Sequence, residues 1–254
     1  MKKNKKIIII LSSILMVVAV IVSAIGYIYK RDKSKYEPKL WIGLFDYRLN
    51  FRDVGASLNQ CLQKDLFQTG LVYRSNKYFS GWSCDKINNP DKIYSLNFSP
   101  WNPHAYYCEK KDGSRLFGTH LNTTFEISDI EKLDNWKKPA FKDSMCHFFK
   151  SALVDLTEKK SFLFHCDVGR DRTGTFAAMM TMMLAEKKNI ADKSIIDSIE
   201  CDYEKTSALE KFKKGRMEDF LVDMKTQGGI AQFIENQCGI SSVLIEQAAD
   251  QFIK

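Results

Sequence analysis

In the string His165-Cys166-Asp167-Val168-Gly169-Arg170-Asp171-Arg172-Thr173-Gly174, a cysteine is followed after five residues by Arg-Thr-Gly. A five-residue arc that curls into a helix N-terminus turns successive backbone N–H groups inward. Those donors and the positive end of the helix make a cradle for a tetrahedral dianion. Asp167, Val168, Gly169, Arg170, Asp171 and Arg172 are expected to line it. The same surroundings favour the charged form of the Cys166 thiol, so its pKa is expected well below the free value of about 8.5, and the thiolate is the nucleophile. Arg172 can hold two equatorial oxygens bidentately, which a lysine point charge does less well. Thr173 can donate its hydroxyl to the sulfur and help it leave. Gly169 and Gly174 allow positive φ or close approach. His165 is expected to fix the loop by hydrogen bonding, not to transfer a proton.

Such an arc needs a strand before it and a helix behind it. Residues 161–164 form a short apolar run that reads as the strand, and 173–186, rich in Ala, Met and Leu, as the helix. Runs at 70–73 and 92–96 read as further strands. Ser144 is placed to cap a helix running to about residue 158, whose Met145, Phe148, Phe149, Leu153 and Leu156 form an apolar stripe that Lys159 and Lys160 stop. Helices are also expected near 192–206, 207–225, 229–237 and 241–253, punctuated by Gly228, Gly229 and Gly239. The fold class is α/β, with a central mixed sheet flanked by helices.

The signature loop resembles that of the cysteine-dependent protein tyrosine and dual-specificity phosphatases. Asn50-Phe51-Arg52-Asp53-Val54-Gly55, Gly70-Leu71-Val72-Tyr73-Arg74-Ser75, the signature with Asp171 before its Arg, Asp202-Tyr203 and the 229–254 tail resemble, in that order, the atypical bacterial tyrosine/lipid phosphatase branch. The likeness covers roughly residues 48–254. It implies a phosphatase-like fold and in-line attack of Cys166 on a phosphomonoester, giving a phosphocysteine that water then hydrolyses, with no metal and no organic cofactor. Substrates would be phosphorylated proteins, with dual or lipid specificity open. The alternatives are a dedicated phosphoinositide or inositol polyphosphate phosphatase, and an inactive phosphate-binding module. The chain departs from the branch where Arg170 replaces its usual Lys, where Gly55-Ala56 replaces a double glycine, and where Tyr94-Ser95-Leu96-Asn97-Phe98 replaces an Asp-Leu-Arg strand end.

The leaving oxygen needs a proton, and two carboxylates compete to supply it. Asp171 matches the loop acid of the atypical branch. Asp134 lies 32 residues before Cys166, a separation similar to that of the mobile acid loop in dual-specificity phosphatases. The reading favours Asp171; Asp129, Asp143 and Asp167 are weaker candidates. Arg52, Asp53 and Arg74 are expected to form a charge network that braces the loop from behind.

The chain has 254 residues and a formal charge of +7, but residues 1–35 alone carry eight Lys or Arg against one Asp. The remainder is balanced, which disfavours a nucleic-acid binder. Residues 7–29 hold no Asp, Glu, Lys or Arg and are long enough to cross a bilayer. They read as an uncleaved signal-anchor with lysines on both sides, followed by a juxtamembrane linker within 1–35 and a catalytic domain over 36–254. The domain is then expected outside the cytoplasm on a single-pass anchor, and cleavage near Ala24 would instead release it as a secreted protein. All seven cysteines follow the span. In an oxidising compartment one is left over, and Cys166 is the natural odd one; reduced buried thiols would fit the same spacing. No Cys-x-x-Cys pair or histidine cluster suggests a metal site.

Overall fold

The computed structural model describes residues 50–97, 106–119, 129–206 and 214–254, together with the isolated helical positions 16, 18, 20 and 23. The chain divides into two units, Met1–Tyr47 and Arg48–Lys254. The expected span 7–29 lies outside the described residues apart from those four positions. Among the described residues no helix is long and apolar enough to cross a membrane.

The second unit contains a curled mixed sheet. Its strands are β1 (Arg52–Asp53), β2 (Val72–Asn76), β3 (Trp82–Ser83), β4 (Lys92–Ser95), β5 (Tyr107–Glu109), β6 (Arg115–Thr119) and β7 (Phe162–Cys166), in the spatial order β1-β2-β7-β4-β6-β5-β3. Strand β7 lies between β2 and β4, parallel to both. The chain leaving β7 therefore emerges where neighbouring strands have come from opposite directions in the sheet order, which is where open α/β sheets present a crevice.

Alternation along the strands divides the core in two. Val72, Tyr94, Phe162 and Phe164 point into a large cluster with the helices, while Tyr73, Ile93 and Leu163 join Phe51, Phe79, Cys84, Ile87 and Cys108 on the other face. The helices are α1 (Val54–Leu62), α2 (Leu133–Trp136), α3 (Pro139–Thr157), α4 (Asp171–Lys187), α5 (Lys193–Glu204), α6 (Arg216–Thr226), α7 (Ile230–Cys238) and α8 (Ser242–Phe252). No residue of these helices enters the second cluster, which 3₁₀ turns at Lys77–Phe79 and Cys84–Ile87 cover instead. Helix α4 is buried without interruption from Thr173 to Ala185, so it runs through the core and needs no polar face.

Two local expectations are corrected. Helix α3 does not start at Ser144: Pro139 opens it, because its missing N–H costs nothing in the first turn, and Ser144 lies inside, donating to the Ala140 carbonyl at 2.6 Å. Helix α6 begins at Arg216, with 207–213 outside the described residues. The helix does end where the lysines predict, with Lys159 at positive φ.

Six of the seven cysteines are paired. Cys61–Cys201 joins α1 to α5, Cys146–Cys238 joins α3 to α7, and Cys84–Cys108 joins a 3₁₀ turn to β5, leaving Cys166 as the free thiol.

Candidate active site

Cys166 ends β7, and the loop crosses four residues before α4 begins at Asp171. The sulfur is buried, and the Gly169 N–H donates to it at 3.2 Å. That orientation has a visible cause. In the trans Val168–Gly169 peptide the Val168 carbonyl points away from the Gly169 N–H and accepts from Asn50 Nδ2 at 3.4 Å, and the following carbonyl, that of Gly169, accepts from Asn50 Nδ2 at 2.6 Å and from Arg74 Nη2 at 3.1 Å. Gly169 has φ of 70°, and a Cβ there would lie 2.6 Å from the Ser75 carbonyl oxygen, so both conformation and space require glycine. Gly174 is needed for proximity alone: a Cβ would lie 2.5 Å from the Tyr203 ring on α5.

Behind the loop lies a buried charge network whose acid is Asp202, where the sequence points to Asp53. Arg52 Nε meets Asp202 Oδ1 at 2.7 Å, and Arg74 Nη1 meets Asp202 Oδ2. Burial pushes the Asp202 carboxyl up, but the Arg52 and Arg74 charges outweigh it and hold the group well below the usual carboxylate range. Arg74, fully buried, is pulled down to about 10 by burial and by the neighbouring Arg52 charge, against the support of Asp202. Arg52 also donates to Asn50 Oδ1 at 2.7 Å, which connects the pair to the residue holding Gly169. Arg52 and Arg74 thus both join the network behind the loop. Asp53 does not: its carboxylate caps α1 through the Ala56 N–H at 2.9 Å and accepts from Gly70 N, because its side chain follows the turn out of β1.

Arg172 reaches back over the sheet edge. Its Nη1 donates to Asn97 Oδ1 at 2.8 Å and to the Leu96 carbonyl at 3.1 Å, and its Nη2 to Asp167 Oδ2 at 2.8 Å. Asn97, just past the end of β4, therefore orients the guanidinium at the position where the strand end departs from the branch pattern. His165 is buried, with the rings of Phe79 and Tyr106 edge-on at 5.0 and 4.8 Å. Thr173 is also buried, but its hydroxyl has no hydrogen-bond partner among the described residues, so the expected donation to the sulfur is not made in this arrangement.

The two acid candidates sit in different surroundings. Asp171, first residue of α4, accepts from Arg170 Nη2 at 2.9 Å, from Tyr203 Oη at 3.0 Å and from Arg216 Nη1 at 3.3 Å. Arg216 also pairs with Glu131, whose other oxygen accepts from Thr175. Asp134 is in α2 with 88% of its side chain exposed and pairs with Lys137 three residues on, which holds its carboxyl below the ordinary value. The geometry joins Asp171, and not Asp134, to the groups around the loop. Asp129 pairs with Lys132 on the surface, and Asp143 is exposed on α3.

Several site residues carried little or no signal in the sequence. Asn50 and Asp202 stood inside the quoted motifs without an assigned partner. Asn97 and Tyr203, also within quoted segments, and Glu131 and Arg216, outside them, had no assigned role, since their contacts span 32 or more residues. Among the described residues no group of three or more His, Cys, Asp or Glu is placed to hold a metal ion.

The arrangement unites a free sulfur that accepts a loop N–H, a helix N-terminus and an arginine at the far end of the same loop. Residues 139–254 match the tyrosine phosphatase family. This stretch begins with α3 and contains the signature loop and every later helix. It is consistent with a cysteine-dependent tyrosine phosphatase superfamily and supports phosphatase activity in general. No curated protein matches the chain. Arg52, Arg74 and Asn97 come from the part of the chain that precedes the matched stretch, yet they bind the loop directly or through Asp202.

Proposed function

We propose that the chain hydrolyses phosphomonoesters through a phosphocysteine intermediate and acts on phosphotyrosine in proteins. The observation that carries this reading is the free Cys166 sulfur, buried at the base of the loop and facing the Gly169 N–H, while the other six cysteines are oxidised. In the first displacement the sulfur attacks phosphorus in line, the ester P–O bond breaks, and the leaving oxygen takes a proton. In the second, water attacks phosphorus, the S–P bond breaks, and inorganic phosphate departs. The loop N–H groups and Arg172 match the charge on the transferring phosphoryl group. Val168, 46% exposed at the loop tip, and Tyr78, 64% exposed beside β2, offer apolar surface to an aromatic ring. Three disulfides favour an oxidising compartment, in keeping with a catalytic domain held outside the cytoplasm by residues 7–29.

Phosphate release from a panel of phosphotyrosine, phosphoserine and phosphothreonine peptides and short-chain phosphoinositides tests the substrate class. The expected order places phosphotyrosine first in kcat/KM. Turnover confined to the lipids would overturn the protein-substrate reading, and no turnover of any member would remove the phosphatase.

Asp171 is proposed as the acid, since it is the candidate carboxylate at the loop end of α4. Protonation matters most when the leaving group is poor. Asp171→Asn is therefore expected to lower turnover of phenyl phosphate by about 10²-fold and of para-nitrophenyl phosphate by much less. Asp134→Asn is expected to leave both near wild type. Equal losses on the two esters would make Asp171 a structural partner of Arg170 and Arg216.

A further inference from the structure

Asp167, the residue directly after the nucleophile, holds the cations that a phosphoryl group needs. Its Oδ2 accepts from Arg172 Nη2 at 2.8 Å, and its Oδ1 from Lys77 Nζ at 2.8 Å and Asn97 Nδ2 at 3.2 Å. The other terminal nitrogen of Arg172 is taken by Asn97 and the Leu96 carbonyl. Burial pushes the Asp167 carboxyl up, but the hydrogen bonds from Lys77 and Arg172 outweigh this and hold it below its ordinary value, so it is ionised at neutral pH. Its side chain is 44% exposed, against 16% for Arg172, so the carboxylate can turn toward solvent while the guanidinium stays in place.

We propose that Asp167 is a specificity-determining residue, an internal carboxylate that competes with phosphate for Arg172 and Lys77 and selects against substrates carrying a second phosphate beside the scissile one. The proposal rests on the phosphatase reading above. A phosphoryl group that engages Arg172 bidentately must displace an existing charge-assisted pair, so its gain is the difference between two such pairs and not the whole of one. Ground-state and product binding are weakened together, whereas the loop N–H groups and the sulfur remain to follow the transferring group. Once displaced, the carboxylate still stands beside the loop. A second dianionic group arriving there meets a like charge, and finds Lys77 already paired. A substrate with one phosphate on an aromatic ring meets only the first of these costs.

The test uses the full chain and Asp167→Asn, which keeps the size of the side chain and removes its charge. Titration calorimetry with inorganic phosphate is expected to show about tenfold tighter binding in the variant. The kcat/KM ratio of a short-chain phosphatidylinositol bisphosphate to a phosphotyrosine peptide is expected to rise by a similar factor, with KM for para-nitrophenyl phosphate falling and kcat changing less. If Asp167 instead serves only to position Arg172, the variant binds phosphate more weakly and loses kcat. That result, or unchanged phosphate affinity and substrate ratio, overturns the proposal. A wild-type protein inactive on both substrates counts against the phosphatase reading itself, while the calorimetry still decides whether Asp167 competes with phosphate.

Discussion

Cys166→Ser is expected to lower phosphate release from para-nitrophenyl phosphate by on the order of 10⁴-fold or more, while phosphate binding changes only a few-fold. The contrast follows from which groups do which work. The hydroxyl occupies nearly the same space as the thiol and can still accept from the Gly169 N–H. The cradle is held from behind by Asn50 and Arg74 through the Gly169 carbonyl, which the substitution leaves in place. The nucleophile is lost because a serine hydroxyl ionises far less readily than a thiol. Comparison of kcat with phosphate affinity in the two proteins checks both halves. Equal turnover in wild type and variant would eliminate the covalent mechanism and, with it, the role given to the loop.

The second large effect concerns the protein's stability. Asp202→Asn leaves the Arg52 and Arg74 guanidiniums buried without their shared counter-charge, and breaking a buried pair in this way costs about 3–5 kcal/mol. The loss has a defined pH dependence. The folded-state pKa of Asp202 is depressed, so its contribution is fully present above the unfolded carboxylate value of about 3.9 and is lost as pH falls below that toward the folded value. Denaturant unfolding should therefore show the widest gap between wild type and variant at neutral pH and a narrowing gap below about pH 4. Activity is expected to fall too, because Arg74 is the link from Asp202 to the Gly169 carbonyl. A variant that loses less than about 1 kcal/mol and keeps its turnover would show that the loop holds its shape without this network.

The Cys61–Cys201 disulfide acts on the same region. Cys201 directly precedes Asp202 on α5, and its bond to α1 fixes the helix that carries Asp202 and Tyr203. Helix α5 is thus tied to α1 by a covalent link and to the sheet and the loop by a buried charge cluster. Both involve residues more than 100 positions apart, Cys61 with Cys201 and Arg74 with Asp202.

The amino-acid sequence by itself determined the local parts. The ten-residue string at 165–174 dictates a strand end, a loop of inward N–H groups and a helix start, since Gly169 and Gly174 are placed where only glycine fits and the apolar runs on either side have strand and helix periods. It made Cys166 the natural odd one of seven cysteines if the others pair, and left open whether and how they do. The tertiary structure alone decided the rest. Asn97 and Arg172 are joined because β4 is hydrogen-bonded beside β7, and no spacing records that register. Asp202 replaces Asp53 as the partner of Arg52 and Arg74 because α5 packs against α1 and turns its carboxylate inward. Asp171 is separated from Asp134 by what surrounds each of them, guanidiniums and a phenol for one and solvent with neighbouring lysines for the other. Periodicity and motif encode interactions a few residues apart, whereas charge pairing depends on which elements the sheet and its helices bring within about 3 Å.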